Sequence, residues 1–246
     1  MLKLENVSFS AQTENGESVE IIDNINLEID DGDFVVITGP NGGGKSTLAR
    51  LIMGIEQPTS GRIYYKGIDI TNLPVNERAA LGIGYAFQQP ARFKGLTVRS
   101  LISLAHGSEL PENECCSYLT RVGLCSMDYL NREVDTSLSG GEVKRIEIAT
   151  LMARDLGLAI FDEPEAGIDL WSFSMLVESF KQMAKAGDKT IIIISHQERL
   201  MSIADEIIVI ADGKLTKRGP SSEIFTELIG EFNKGCSFRG ENDEEN

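Results

Sequence analysis

The segment Gly39-Pro40-Asn41-Gly42-Gly43-Gly44-Lys45-Ser46-Thr47 fits the pattern G-x-x-x-x-G-K-[ST]. Its glycines let the backbone curl until several N–H groups face one phosphate chain, at the positive end of the helix that follows. In such a loop Lys45 reaches the β- and γ-phosphates, the Ser46 hydroxyl ligates Mg²⁺, and Thr47 supports the α-phosphate end. A second constellation is Leu158-Ala159-Ile160-Phe161-Asp162-Glu163, an apolar run that ends in two carboxylates. Beside a phosphate loop, Asp162 suits the metal, and Glu163 suits the attacking water as proton acceptor or orienting group. A third is Leu138-Ser139-Gly140-Gly141-Glu142, where a hydroxyl and glycine N–H groups at a helix start can present an anion site.

These groups must be held by regular elements. Phe34-Val35-Val36-Ile37-Thr38 is a continuous apolar run of the kind found in a parallel strand buried on both faces. A helix through Thr47 to Met53 follows the loop. Leu2, Leu4 and Val7 begin an alternating strand pattern that resumes over Val19 to Ile29, with Asn15-Gly16 as a hairpin tip. Further strands are expected around Arg62 to Tyr65 and at Leu158 to Phe161, Thr190 to Ile194 and Glu206 to Ala211. Helices are expected from Leu138 to Arg154, near Trp171 to Ala186 and near Glu198 to Ala204. Between Pro90 and Ser137 the pattern turns helical, with Leu101, Leu104, Leu119, Val122 and Leu124 as expected core positions. Strands alternating with helices imply a parallel sheet covered on both faces, with a second, helical lobe inserted.

Taken together the motifs resemble the ATP-binding-cassette family over essentially residues 1–230. The resemblance implies an α/β P-loop NTPase with a RecA-like core (about 1–88 and 156–230), an antiparallel β subdomain and a helical subdomain (about 89–155). It implies an ATPase that uses ATP and Mg²⁺. The LSGGE run is that family's signature, and implies that Ser139, Gly140, Gly141 and Glu142 serve the ATP of a second copy in a head-to-tail, ATP-dependent homodimer. Asp169, in Ala166-Gly167-Ile168-Asp169, matches the D-loop and joins them. Gln88, which directly follows the aromatic in Phe87-Gln88-Gln89-Pro90, matches the Q-loop glutamine that touches Mg²⁺ and links the lobes. His196, after Ile191 to Ser195, matches the switch histidine at the γ-phosphate. One position departs from the pattern: Ala11 stands where an aromatic commonly stacks on adenine, so either Phe9 takes that part or the base is held weakly.

Composition narrows the field. The chain has 246 residues, 41% hydrophobic and 25% charged, an ordinary globular balance for one domain with a subdomain. No apolar run approaches the roughly 20 residues of a membrane span, and the first residues lack a secretory signal's apolar stretch, so a cytoplasmic chain is expected. A net charge of −15 with no basic stripe argues against a nucleic-acid partner. Glu241, Asp243, Glu244 and Glu245 suggest that 231–246 is an acidic, disordered tail. Cys115, Cys116, Cys125 and Cys236 lack metal-ligand spacing and read as reduced thiols packed as small apolar residues.

Most single cassettes of this family energise a membrane transporter with a separate permease. Two stretches point elsewhere: Ser139 to Arg145 (SGGEVKR), and Pro164 to Phe173 (PEAGIDLWSF). With the missing adenine aromatic, they are similar to SufC-type ATPases of iron–sulfur cluster assembly. That resemblance implies a SufB-like scaffold as partner, deformed when two copies close on ATP, with the permease as the alternative. Either would dock on the helical lobe near Gln88 to Leu110.

Overall fold

The computed structural model describes residues 1–12 and 15–237. In chain order it contains β1 (Leu2–Gln12), β2 (Ser18–Ile29), β3 (Phe34–Thr38), α1 (Lys45–Met53), β4 (Ser60–Tyr65), β5 (Ile68–Asp69), α2 (Val75–Ala80) and β6 (Ile83–Ala86). The next stretch holds β7 (Phe93–Thr97), α3 (Val98–His106), α4 (Glu112–Arg121), α5 (Ser126–Tyr129), β8 (Glu133–Val134) and α6 (Gly140–Ala153). The chain then continues through β9 (Leu158–Asp162), α7 (Leu170–Ala186), β10 (Thr190–Ile194), α8 (Glu198–Met201), β11 (Glu206–Ala211), β12 (Lys214–Pro220) and α9 (Ser221–Ser237).

The central sheet has the order β12-β11-β3-β10-β9-β6, parallel except for the β11–β12 edge pair. Its strands alternate between two cores. Phe34, Val36, Ile191, Ile193 and Phe161 face a layer built from α3, α4, α6 and α7; Val35, Ile37, Ile192, Ile194 and Ile160 face α1 and the antiparallel sheet β2-β1-β4-β5. Burial on both faces is what makes these strands read as unbroken apolar runs. It also brings the C-terminal ends of β3, β9 and β10 together at one edge, where the motif residues begin.

Several expectations require correction. Leu104 is 71% exposed, whereas Leu119, Val122 and Leu124 are core and Leu101 packs against it. The helical lobe also contains a two-stranded ribbon, β7 with β8. β6 escapes a pattern search because Ile83-Gly84-Tyr85-Ala86 is short and interrupted by glycine. That glycine is required, since a Cβ there would lie 2.5 Å from Leu156 Cδ1 and 2.8 Å from Leu151 Cδ1. β12 is a polar edge strand, and α8 ends at Met201, short of Ala204. α9 runs into the segment read as a disordered tail, because Ile224, Phe225 and Leu228 pack on the first core and anchor its start. The acidic residues 238–246 lie outside the described residues. Asn15-Gly16 falls at the β1–β2 turn as read, with Gly16 at φ 79°.

Candidate functional site

The loop between β3 and α1 is clasped tightly. Gly39 has φ 130°, and a Cβ there would come within 2.0 Å of the Ile210 carbonyl oxygen at the end of β11. Only glycine lets the backbone turn against that strand. Gly43 N–H donates to Pro40 O at 3.1 Å, and Gly213 N–H donates to Gly43 O at 3.1 Å, closing the curl. Gly44 caps α1 in the left-handed region, and the first turn of α1 carries no acidic residue to oppose an anion. Lys45 is 6% exposed, and its ammonium donates to Gly39 O and Pro40 O, both at 2.8 Å. Burial lowers its pKa, while the carboxylates of Glu163 and Asp162 act the other way.

At the end of β9 the two acids take different roles. Asp162, 2% exposed, accepts from Ser46 Oγ through Oδ1 at 3.0 Å and from Tyr85 OH through Oδ2 at 2.7 Å. Burial, and then the nearby carboxylate, keep Tyr85 firmly protonated, so it serves only as a donor. Ser46 and Asp162 thus come together as read, and place two hard oxygens side by side on converging elements. Glu163 stands in the left-handed region at φ 45°, an unusual backbone for a side chain of this size. Its N–H donates to Ile194 O at 3.0 Å, and its Oε2 accepts from Gln88 Nε2 at 2.7 Å. Gln88 thus meets the site through Glu163, next in the chain to the Asp162 that accepts from Ser46. His196 follows β10, with Nδ1 3.5 Å from Thr38 Oγ1. Desolvation, then the Lys45 ammonium, lower its pKa and favour the neutral ring, against a pull from Glu163.

The second group of motif residues forms a separate constellation at the starts of α6 and α7. Ser139 caps α6 and completes a capping box: Glu142 N–H donates to Ser139 Oγ at 3.3 Å, and Ser139 N–H donates to Glu142 Oε2 at 2.6 Å. The other Glu142 oxygen accepts from Tyr129 OH. Asp169 caps α7, accepting from Trp171 N–H at 3.1 Å and Ser172 N–H at 3.0 Å, and the Ser172 contacts depress its pKa. The carboxylates of Glu142 and Asp169 thus have structural work within the chain, whatever a second copy adds. The two helix starts touch, because a Cβ on Gly141 would lie 2.2 Å from Gly167 O. Arg145 ties them further, donating to Ser172 Oγ at 2.6 Å and to Gly123 O at 2.9 Å.

Four residues near the site were not singled out from the sequence. Tyr85 supports Asp162 from β6. Lys144, 1% exposed, and Glu147 lie on α6 behind the acids. Glu165 accepts from Ser195 Oγ at 2.6 Å, and burial raises its pKa. Their only signal is position, one or two turns from a motif, which has meaning once packing is known. For the base pocket, Phe9 packs against the second core, and Ala11 sits half-buried opposite Val19 in the β1–β2 ladder. His106 lies in the helical lobe, with Nδ1 3.0 Å from Ala153 O, and Cys115 is a core residue whose burial raises its pKa.

Comparison with known proteins follows the same lines. Residues 22–166 match the ABC transporter family. An uncharacterised ABC transporter ATP-binding protein, MJ0035, of Methanocaldococcus jannaschii is 40% identical over 223 residues, 87% of each chain. A sulfate/thiosulfate import ATP-binding protein, CysA, of Synechocystis is 34% identical over 222 residues. That match takes in 88% of this chain but only 61% of the cyanobacterial protein. The ATP-binding cassette MJ0796, solved as a dimer in a post-hydrolysis state bound to ADP and Pi, superposes with TM-score 0.80 at 27% identity. It covers 90% of this chain and 99% of the solved one. With the phosphate loop, the paired acids and the signature helix in place, the chain belongs to the ABC transporter family, as one of its ATP-binding and ATP-hydrolysing cassettes.

Proposed function

We propose that the chain is the ATPase subunit of a two-copy motor that acts on a separate partner protein. The observation that carries this reading is the convergence at the ends of β3 and β9: Lys45 in its loop, Ser46 on Asp162, and Gln88 on Glu163. The backbone N–H groups of residues 39–44, with Lys45, Ser46 and Thr47, bind the triphosphate. Ser46 and Asp162 suit Mg²⁺, a hard cation that takes oxygen ligands and keeps several waters; when bound it neutralises charge on the phosphate oxygens. Glu163, held at the strand end by Ile194 O and by Gln88, orients the attacking water and receives its proton. A neutral His196 donates to the γ-phosphate. Ser139, Gly140 and Gly141 lie at the start of α6 and, among the described residues, form no hydrogen bond with the Lys45 loop, which supports their use on the ATP of a second copy.

The names of the relatives support a membrane permease as the partner, and so a transport reading. Among the described residues no helix is long and apolar enough to cross a membrane, so any membrane-spanning part would be supplied by another chain or segment. The second reading is ATP-driven iron–sulfur cluster assembly on a SufB-like scaffold. It is supported by the stretches Ser139 to Arg145 and Pro164 to Phe173. It is also supported by Ala11 standing where an aromatic is expected, with Phe9 half-buried and packed against the second core. Detergent-free capture of the tagged protein from its native cells, with mass spectrometry, separates the two. The transport reading expects recovery from the membrane fraction with a multi-span permease. A soluble scaffold in near-equal amount would replace it with cluster assembly, and recovery without any stoichiometric partner would contradict the motor itself.

A further inference from the structure

The helix that begins with the signature carries two ionisable side chains, Lys144 buried and Glu147 half-buried, that the reaction above does not use. Lys144 donates from Nζ to the Phe87 carbonyl and, at 2.9 Å, to the Asp162 carbonyl. Glu147, three residues on and so on the same face of α6, accepts from Phe87 N–H through Oε1 at 3.2 Å. Its Oε2 is buried without a hydrogen-bond partner among the described residues. The backbone of Phe87 is thus gripped at both of its polar groups by one helix. The residues next in the chain are Gln88 and Glu163, whose side chains share the 2.7 Å hydrogen bond.

This arrangement is costly. Burial lowers the pKa of Lys144 against the pull of Glu147, Asp162, Glu165 and Glu163, and burial pushes the Glu147 carboxyl up to about 7. Burying ionisable groups is no cheaper than apolar packing of the same size, so their presence calls for a use. Core packing alone would be served by leucine or methionine at both positions. What the pair provides is a set of directed hydrogen bonds to the two peptides that precede the reacting groups.

We propose that Lys144 and Glu147 are positioning residues that lock the Gln88–Glu163 pair to the signature helix, so that catalytic geometry follows the placement of α6. This rests on the roles given above to Gln88 and Glu163. A displacement of α6, such as docking of a second copy on its start would produce, then reaches Gln88 and Glu163 through three hydrogen bonds without passing through the phosphate loop.

Steady-state ATP hydrolysis by the full-length variants Lys144→Met, Glu147→Gln and Glu147→Leu tests this. Neither residue touches residues 39–47, so the loss is expected in kcat, by about 10- to 100-fold, with the KM for ATP held within about threefold. Glu147→Gln keeps an acceptor for Phe87 N–H and should stay within about threefold of the parent, while Glu147→Leu should fall with Lys144→Met. In a Gln88→Ala background the Glu147→Leu effect should largely vanish, because the residue it acts through is gone. If Lys144→Met does not fold, the Gln and Leu variants at 147 still decide. Parental turnover in Glu147→Leu, equal losses in Gln and Leu, or full additivity with Gln88→Ala would overturn the assignment. If Glu163→Gln itself retained parental turnover, the active-site reading beneath it would fail instead.

Discussion

Replacing Glu163 by glutamine should lower ATP turnover by roughly 100- to 10,000-fold, the span associated with a positioned general base, while ATP still binds. The substitution is nearly isosteric. Its amide oxygen can still accept from Gln88 Nε2, which Glu163 holds at 2.7 Å, so the local frame stays. What is lost is the capacity to take a proton from water. One negative charge also leaves the neighbourhood of Asp162 and the triphosphate, which favours nucleotide retention. Two copies should therefore stay closed on Mg-ATP, and light scattering should report a dimer that disperses on exchange into ADP. A variant that remained monomeric with Mg-ATP would contradict head-to-tail closure, and one that turned over at the parental rate would remove Glu163 from the chemistry.

The largest stability effect is expected far from that carboxylate, at Arg78 on α2. Its guanidinium is fully buried and donates to Leu51 O at 2.6 Å, and to Ile52 O, Leu73 O and Thr71 O, each at 2.9 Å. Two of those carbonyls end α1, the helix whose other end holds the phosphate loop; Leu51 O also accepts from Gly54 N–H at 3.2 Å, whereas Ile52 O lies where a helix end leaves carbonyls without intrahelical partners. Burial lowers the pKa of Arg78 to about 10, against a weaker pull from Asp69, yet the side chain remains charged at neutral pH. Arg78→Leu matches the apolar setting but strands the carbonyls of Ile52, Leu73 and Thr71, at a cost of about 1–3 kcal/mol for each that finds no water; Leu51 O keeps the Gly54 N–H. Relief of the guanidinium's own desolvation offsets part of this, leaving about 3–5 kcal/mol and a fall in Tm of roughly 10 °C or more. Arg78→Lys should fall between, because one ammonium cannot span four carbonyls set around a planar fork. A Tm within 2 °C of the parent for Arg78→Leu would show that solvent replaces the fork at little cost.

Arg78 also marks the limit of what the chain discloses before it is folded. Strands such as Phe34–Thr38 and Leu158–Asp162 declare themselves because both faces are buried, and the chemical groups sit directly at their ends. Lys45, Ser46, Asp162 and Glu163 could therefore be singled out from local pattern and spacing, and His196 from the family resemblance. Arg78, Lys144 and Glu147 were not, since a cation or an acid on a helix reads as solvent-facing until a distant segment covers it. Tyr85 was hidden for a related reason: β6 holds a glycine that exists only to make room for Leu151 and Leu156. Leu104 failed in the opposite sense, since the helical period gave it an inward place that α3 leaves exposed. Gln88 was singled out by its sequence neighbours, whereas its hydrogen bond to Glu163 is fixed by the packing of two separate loops. The choice between a permease and a scaffold is of the same kind, because it depends on a surface and not on the catalytic residues.

The central claim is that each catalytic site is shared between two copies, and mixing two inactive variants tests it most directly. Lys45→Ala should disable the phosphate loop while leaving Ser139 to Gly141 intact, and Ser139→Arg should do the reverse. In a mixed pair, one of the two composite sites combines the intact loop of one chain with the intact signature of the other. ATP hydrolysis should therefore reappear on mixing, rise with the concentration of both chains, and reach up to about a quarter of the parental rate, from random pairing and one working site per mixed pair. No recovery from two variants that each bind a parental partner would mean that the site is complete within one chain, and the shared-site account would be wrong.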